Sequence, residues 1–298
     1  MNENFFSSCI LCNSGNLTQL LPYSKHYLCR CNNCGLVFSQ KIPTNEELYA
    51  YYQQYSYNDN YYISPITLKR YREILQKFEP YRKNNRLLDV GCGNGIFLSV
   101  AKEMGWETYG VEFSESGTSY CMAKGLNVFQ GTLSDHLNHL PEFDIVVSIE
   151  VLEHINTPKI ELSNFHQLLR KGGILYLTTP NYNGILRYIL KDKYDIFAYP
   201  EHLAYYTPAT LKRSLQKYGF KPLSIKTTGI SISRFKNSVK KSNRKQENPF
   251  TANSSDEILR NATENNLIMR GLKTIVNKFL IFTGLGLTIS GVFIKPDA

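Results

Sequence analysis

The segment Leu87-Leu88-Asp89-Val90-Gly91-Cys92-Gly93-Asn94-Gly95 constrains this chain more than any other. An apolar run of strand character passes straight into a glycine-rich turn, and a helical pattern opens at Ile96. Glycines there let a ligand lie against bare backbone, and the helix N-terminus behind them offers free amides at the positive end of its dipole. The spacing is G-x-G-x-G with Asp89 two residues ahead, unlike the G-x-G-x-x-G of dinucleotide folds. Glu112 closes the next apolar run, where a carboxylate can accept hydrogen bonds from both hydroxyls of a ribose. These residues predict an adenosine-type ligand held without a pyrophosphate.

Around that turn the pattern alternates. Arg86–Val90, Thr108–Glu112, Asn127–Gln130, Phe143–Ile149 and Ile174–Thr179 read as strands. Ile96–Met104, Glu115–Lys124 and Thr157–Arg170 carry helical spacing, stopped by Gly105, Gly125 and the pair Gly172-Gly173. Thr157-Pro158 and Thr207-Pro208 each set a capping residue before a proline at the first helical position. The second pair starts a helix over Pro208–Tyr218, and Phe220–Thr227 follows as a strand. Continuous apolar strands separated by helices predict a parallel sheet covered on both faces, so the fold class is α/β, doubly wound. The charge-free stretch Phe279–Ile294 holds three glycines and falls short of the roughly 20 apolar residues of a membrane span. A last strand over Leu287–Ile294 accounts for it, and no transmembrane segment is expected.

A second unit precedes this alternation. Cys9-Ile-Leu-Cys12 and Cys31-Asn-Asn-Cys34 fit the spacing of a tetrahedral four-thiolate zinc site. Gly15 and Gly35 follow the pairs, where a knuckle needs a residue free to take positive φ. Cys29 stands too close to Cys31 for the usual knuckle and reads as a spare thiol, while Cys92 and Cys121 read as small buried hydrophobes. Four thiolates leave no open position, so the zinc would be structural. An odd total of 7 cysteines, behind a start that lacks a basic-then-apolar leader, predicts reduced thiols in a cytoplasmic protein. The expected layout is a zinc ribbon over 1–42 and a connector and helix over 43–83, with tyrosines crowding 49–62 as packing groups. The core follows over 84–228, a basic, partly helical insertion over 229–286, and a final strand and tail over 287–298.

The net charge of +9 is local: Lys212–Glu247 holds eleven Lys or Arg against the single acid Glu247. The plain reading is a solvated loop; the sharper one is a peripheral contact of 212–247 with anionic lipid, phosphate or RNA. Between Cys9 and Cys34 only Lys25 and Arg30 are cationic, too few to track phosphates, which argues against nucleic acid as partner.

Taken together, the motifs resemble the S-adenosylmethionine-dependent methyltransferases with the Rossmann-like fold. The carriers are Leu88–Gly95, Gly110-Val111-Glu112, Phe143–Ser148, Glu150-Val151-Leu152-Glu153-His154-Ile155 and Leu177–Asn181, over about 84–228 and again at 287–295. The resemblance implies a mostly parallel sheet whose last strand is antiparallel. It also implies that Asp89, Gly91, Cys92, Gly93, Asn94 and Gly95 hold the methionine end of S-adenosylmethionine. Glu112 would take the ribose and Phe113 the adenine, with Glu150 at the edge of the same site. Many relatives place an acid after the third strand for the adenine amine; here Gly131-Thr132-Leu133 stands there, so Thr132 or backbone must substitute.

The cysteine unit, the tyrosine-rich connector and Pro200–Pro208 are similar to a bacterial group that modifies sugars, polysaccharides and small metabolites. A small-molecule, nucleotide-sugar or glycan acceptor follows, with a sugar hydroxyl foremost. The rival readings are an RNA methyltransferase with a zinc-ribbon reader, a sugar C-methyltransferase, and a non-catalytic cofactor-fold protein. A sugar hydroxyl must be aligned and must lose its proton near the transition state. His202, in the loop after the fifth strand, and His154, after the fourth, are the two candidate bases, each against the plainer role of capping a loop. Glu150, Glu153 and His154 also carry donors for a divalent cation, as in some relatives, and stay unassigned.

Overall fold

The computed structural model describes residues 4–52, 62–229 and 267–297. Tyr55, Tyr57, Tyr61 and the basic residues between Arg234 and Lys245 lie outside them. At the N-terminal end, β1 (Leu17–Gln19), β2 (Leu28–Cys31) and β3 (Val37–Ser39) form an antiparallel ribbon. Two helices follow, α1 (Asn45–Tyr52) and α2 (Pro65–Gln76). Ser64 caps α2 by accepting from the Thr67 amide at 3.3 Å. Helix α2 ends at Gln76, and Pro80 belongs to a separate 3-10 turn over Glu79–Tyr81.

The core then runs β4 (Arg86–Val90), α3 (Ile96–Glu103), β5 (Glu107–Glu112), α4 (Glu115–Ala123), β6 (Val128–Gln130), α5 (Leu133–His136) and β7 (Phe143–Ile149). It continues as α6 (Pro158–Leu168), β8 (Leu169–Pro180), α7 (Ile185–Leu190), β9 (Ala204–Tyr205), α8 (Pro208–Lys217), β10 (Lys221–Thr228), α9 (Leu267–Thr283) and β11 (Thr288–Ile294). Seven strands form one sheet in the order β10-β11-β8-β7-β4-β5-β6. The five from β8 to β6 are mutually parallel, and β11 runs antiparallel between β8 and β10.

Successive strand residues point to opposite faces, which explains the unbroken apolar runs. Leu88, Val146, Leu175 and Leu177 face Leu162, Phe165 and Leu168 of α6 and Leu211 and Leu215 of α8. Their chain neighbours Leu87, Ile145, Val147 and Ile174 face Leu75 of α2 and Phe97, Leu98 and Ala101 of α3.

One boundary departs from the sequence reading. Helix α6 stops at Leu168, and the chain enters β8 at Leu169 rather than after Gly172-Gly173. The cause is tertiary: Arg170 is drawn to the buried Asp144, Nε to Oδ1 at 2.5 Å, and also donates to the Tyr81 carbonyl. The glycine pair instead lies inside the strand, where the β7–β8 register shifts between Phe143 and Ile145 and Gly172 takes φ +70°. The second sheet has the order β1-β2-β3-β9, so a pair of residues from the far side of the chain completes the N-terminal ribbon. Among the described residues no helix is long and apolar enough to cross a membrane.

Candidate active site

Strand order reverses between β4 and β7, since the chain steps from β4 outward to β5 and β6, but from β7 to β8 on the other side. A crevice opens beyond the carboxyl ends of the strands at such a point. The glycine turn leaves β4 there, with Gly91, Gly93 and Gly95 at φ +71°, +55° and +69°. A Cβ on Gly91 would lie 2.4 Å from Val151 Cγ2, and one on Gly95 would lie 2.5 Å from Leu126 Cδ1. Conformation and space both require glycine at these two positions. The Gly91 and Cys92 amides donate to the Val111 carbonyl at 2.8 and 3.2 Å, which ties the turn to β5. Asn94 is half-buried, and Gly95 caps α3. Cys92 and Cys121 are buried as expected, and Cys121 Sγ donates to the Gly93 carbonyl at 3.3 Å.

Glu112 turns its carboxylate back toward the turn. Oε2 accepts from the Gly93 amide and Oε1 from the Ser114 amide, both at 2.8 Å. Asp89 is only 3% exposed, and among the described residues nothing donates to it. Burial, with the charge of Glu112 added, pushes the Asp89 carboxyl up to about 8. Burial also raises Glu112, against the amide hydrogen bonds that lower it. Two carboxyls in one dehydrated recess disfavour their charged forms, and a cationic ligand group there would relieve the cost. Phe113 leaves 51% of its surface exposed beside them.

Thr132 is engaged differently from the expectation. Its amide and hydroxyl both donate to Asp135 Oδ2, at 2.8 and 2.7 Å. Asp135, which the sequence reading did not name, sits at the third position of α5 and closes its capping box with Thr132. Glu150 leaves β7 at φ +55° with its amide on the Thr178 carbonyl at 3.0 Å.

His154 and His202 come together although they are remote in sequence. Their ring centroids are 4.8 Å apart at an interplanar angle of 75°. His154 Nδ1 lies 2.9 Å from the Glu201 carbonyl, and His202 Nδ1 lies 2.7 Å from the Ile196 carbonyl. A carbonyl can only accept, so each Nδ1 carries a proton on the carbonyl it faces. Glu153, 2% exposed, accepts from Thr179 Oγ1 at 2.9 Å and holds Oε1 4.0 Å from His154 Nε2. Burial first, then the neighbouring His202, brings His154 down to about 4, so its ring is neutral near pH 7. Glu153, His154 and His202 bring one donor atom each within 4.8 Å of the others. The structure therefore groups His202, rather than Glu150, with Glu153 and His154. The Thr179 hydroxyl and the carbonyls of Ile196 and Glu201 aim these side chains, and carbonyl roles leave no trace in residue type.

The four cysteines also converge. Cys9 Sγ lies 3.6 Å from Cys34 Sγ, and Cys12 Sγ lies 3.5 Å from Cys31 Sγ. Zinc–sulfur bonds of about 2.3 Å in a tetrahedron put sulfurs about 3.8 Å apart, so the group fits that ion with little adjustment. The Leu11 and Cys34 amides point at Cys9 Sγ and Cys31 Sγ, at 3.4 and 3.5 Å. The mutual hydrogen bond of Cys9 and Cys34 lowers the Cys9 thiol and raises Cys34, as when two sulfurs share one proton. Cys29 stands outside the group, and burial pushes it up to about 12. Positive φ falls on Gly35 as expected, but after the first pair it is Asn13, at +62°, rather than Gly15 that supplies it.

Fold and crevice together define a Rossmann-like protein shaped for an adenosine-containing ligand. A family model described as a methyltransferase domain matches residues 62–225. That is more than half of the chain, which belongs to this methyltransferase family and carries the four-cysteine unit ahead of the matched segment. The chain is 30% identical over 147 residues to a ubiquinone biosynthesis O-methyltransferase of Salmonella arizonae, covering 42% of this chain and 61% of that protein. The protein of the same name from Psychrobacter arcticus is 33% identical over 110 residues, which cover 33% of this chain and 42% of the relative. The chain thus spans about half the length of the curated relatives it matches. A SAM-dependent methyltransferase from Archaeoglobus fulgidus shares the fold, with a TM-score of 0.52 at 21% identity over 77% of this chain and 93% of that one.

Proposed function

We propose that this chain transfers a methyl group from S-adenosylmethionine to a hydroxyl of a small-molecule acceptor, with a sugar hydroxyl of a nucleotide sugar or glycan as first choice. One observation carries the reading: the buried Asp89 and Glu112 carboxyls stand at a turn whose three glycines all take positive φ. The cofactor, when bound, supplies a methyl group already activated on a sulfonium. In this reading Asp89 and the stretch Gly91–Gly95 receive its cationic methionine end, which compensates the dehydrated carboxyl. Glu112 accepts from the ribose hydroxyls without releasing Gly93 or Ser114, because each carboxylate oxygen offers more than one lone pair. Phe113 covers the adenine, and Thr132 and Glu150 border the site. His202 takes the acceptor proton at Nε2, and His154 lines the same approach. Zinc on Cys9, Cys12, Cys31 and Cys34 is structural.

The O-methylation in the relatives' names supports a hydroxyl over a carbon acceptor. The test is to incubate the protein with isotopically labelled S-adenosylmethionine and a small-molecule extract, alongside total RNA, and to follow the label by mass spectrometry. One labelled methyl on a hydroxylated small molecule is expected. Label in RNA alone would overturn the acceptor class, and failure to bind S-adenosylhomocysteine would overturn the reading altogether.

A further inference from the structure

The four-cysteine unit and the segment that carries His202 are parts of one sheet. Strand β3 pairs with β2 on one edge and with β9 on the other, where Val37 faces Tyr205 and Phe38 faces Ala204. The Ser39 amide donates to the Leu203 carbonyl at 2.8 Å, and Arg213 Nη2 donates to the Cys34 carbonyl at 3.0 Å. On its other side the segment is tied to the crevice, with the Leu203 amide on the Glu153 carbonyl at 2.7 Å and the Tyr206 carbonyl accepting from the Tyr182 amide at 2.8 Å.

Between these ties sit the groups that aim the two rings. Glu201 offers its carbonyl to His154, and Tyr205 Oη donates to the His202 carbonyl at 3.0 Å. Any slackness in 201–205 therefore reaches both imidazoles. The ribbon strands that hold this segment number three, four and three residues, and β9 only two. Such short pairings are marginal in water without further support. That support is close at hand, because Cys31 ends β2, Cys34 lies in the turn into β3, and Cys9 packs with Leu36, Phe38, Ala204 and Tyr206 in one buried cluster.

We infer that the four-cysteine unit, with its ion bound, is a positioning clamp for the histidine pair, in which the β3–β9 ladder carries the order of the metal knuckles into Leu203–Tyr205 and so sets His202 against His154. Ser39 and Phe38 are positioning residues in this device. The inference rests on the methyltransferase reading only for the chemistry the pair performs.

The test uses the full chain and needs no acceptor. Hydrogen exchange is followed by mass spectrometry, and the ring Cε1–H signals of His154 and His202 by NMR, in the zinc-loaded protein, in Cys12→Ser and in Ser39→Pro. Cys12→Ser should speed exchange in 28–39 and in 201–206 by about tenfold or more. The amides of β4 and β5 should stay protected and S-adenosylhomocysteine affinity unchanged. Ring signals displaced by the edge-to-face contact should move toward those of free histidine. Ser39→Pro keeps every thiolate and removes the amide donor to Leu203 along with the longer hydroxyl bond to the Lys41 carbonyl, which Ser39→Ala removes alone; zinc content should hold while 201–206 opens and the ring signals shift in the proline variant only.

The inference is overturned if 201–206 and the ring signals stay put while 28–39 opens in Cys12→Ser. It is equally overturned if Ser39→Pro leaves both unmoved, and that variant decides the matter should Cys12→Ser fail to fold. Neither readout involves methyl transfer, so its failure leaves the proposed activity standing, and loss of cofactor binding in the parent protein would remove the activity while leaving the clamp.

Discussion

The two sides of the crevice are built in different ways. On the glycine-turn side, Asp89, Gly91, Gly93, Gly95 and Glu112 belong to a single β4–α3–β5 unit, and the amide hydrogen bonds of the turn close within it, Gly93 to Glu112 and Gly91 to Val111. On the histidine side, His154 follows β7, His202 arrives from the segment before β9, and their Nδ1 partners are the carbonyls of residues 201 and 196. The strand that backs them comes from residues 37–39. The first side is a local conformation written in glycine; the second is an assembly of remote segments. A local conformation tolerates damage elsewhere in the molecule, whereas an assembly fails with any of its parts.

The heaviest blow to that contrast falls on the assembled side. Cys31→Ser should abolish zinc binding, which supplies about 10–16 kcal/mol in four-ligand structural sites, while Cys29→Ser should keep one zinc per chain. Elemental analysis of the two variants decides it, and the opposite pattern would make Cys29 the ligand. Next in size, His202→Ala should lower turnover by roughly 10²–10⁴-fold, the worth of a positioned base, with S-adenosylhomocysteine affinity intact. His154→Ala is its control. Burial holds His154 near 4, so a base at 154 would place the acid limb of single-turnover methyl transfer near pH 4.

On the local side, Glu112→Ala should weaken S-adenosylhomocysteine binding in calorimetry by ~1.5–3 kcal/mol for each ribose hydrogen bond to the charged acceptor. Unchanged affinity would end its assignment. Gly91→Ala should cost about 1–3 kcal/mol in thermal denaturation, since φ +71° is strained for alanine and Val151 fills the space. Val151→Ala in the same chain should recover only the steric part.

The same side also carries a pH slope. Asp89 stands at about 8 in the fold against an ordinary 3.8, so the stability tied to its protonated form is complete below about 4 and is lost as pH rises through about 8. Asn does not titrate, so the melting temperature of Asp89→Asn should climb relative to the parent across that window. A flat difference would mean that water reaches Asp89.

Much of the fold was legible because its signals are local. The apolar run Phe143–Ile149, the Thr207-Pro208 start of α8 and the two Cys-x-x-Cys knuckles each state their structure within a few residues, and each appears in place. The misreadings share one cause. Gly172-Gly173 has the signature of a helix stop, but the buried Asp144 recruits Arg170 and starts the strand early. In the same way His154 and His202, each read in its own loop, gave no sign that their rings meet, and Glu150 was grouped with Glu153 and His154 because it is near in sequence.

The parallel α/β core, the glycine turn with its two carboxyls and the four zinc-spaced thiols can all be read from residue order alone. Those are fixed by the backbone conformations that particular residues permit and by apolar period, which act over a few positions. Packing over long range strips water from Asp89, brings two imidazoles edge to face, and sets Val37–Ser39 beside Ala204–Tyr205. Dehydration, ring contact and strand pairing depend on which distant surfaces pack together, and the chain sets that through the whole core at once rather than at any one motif.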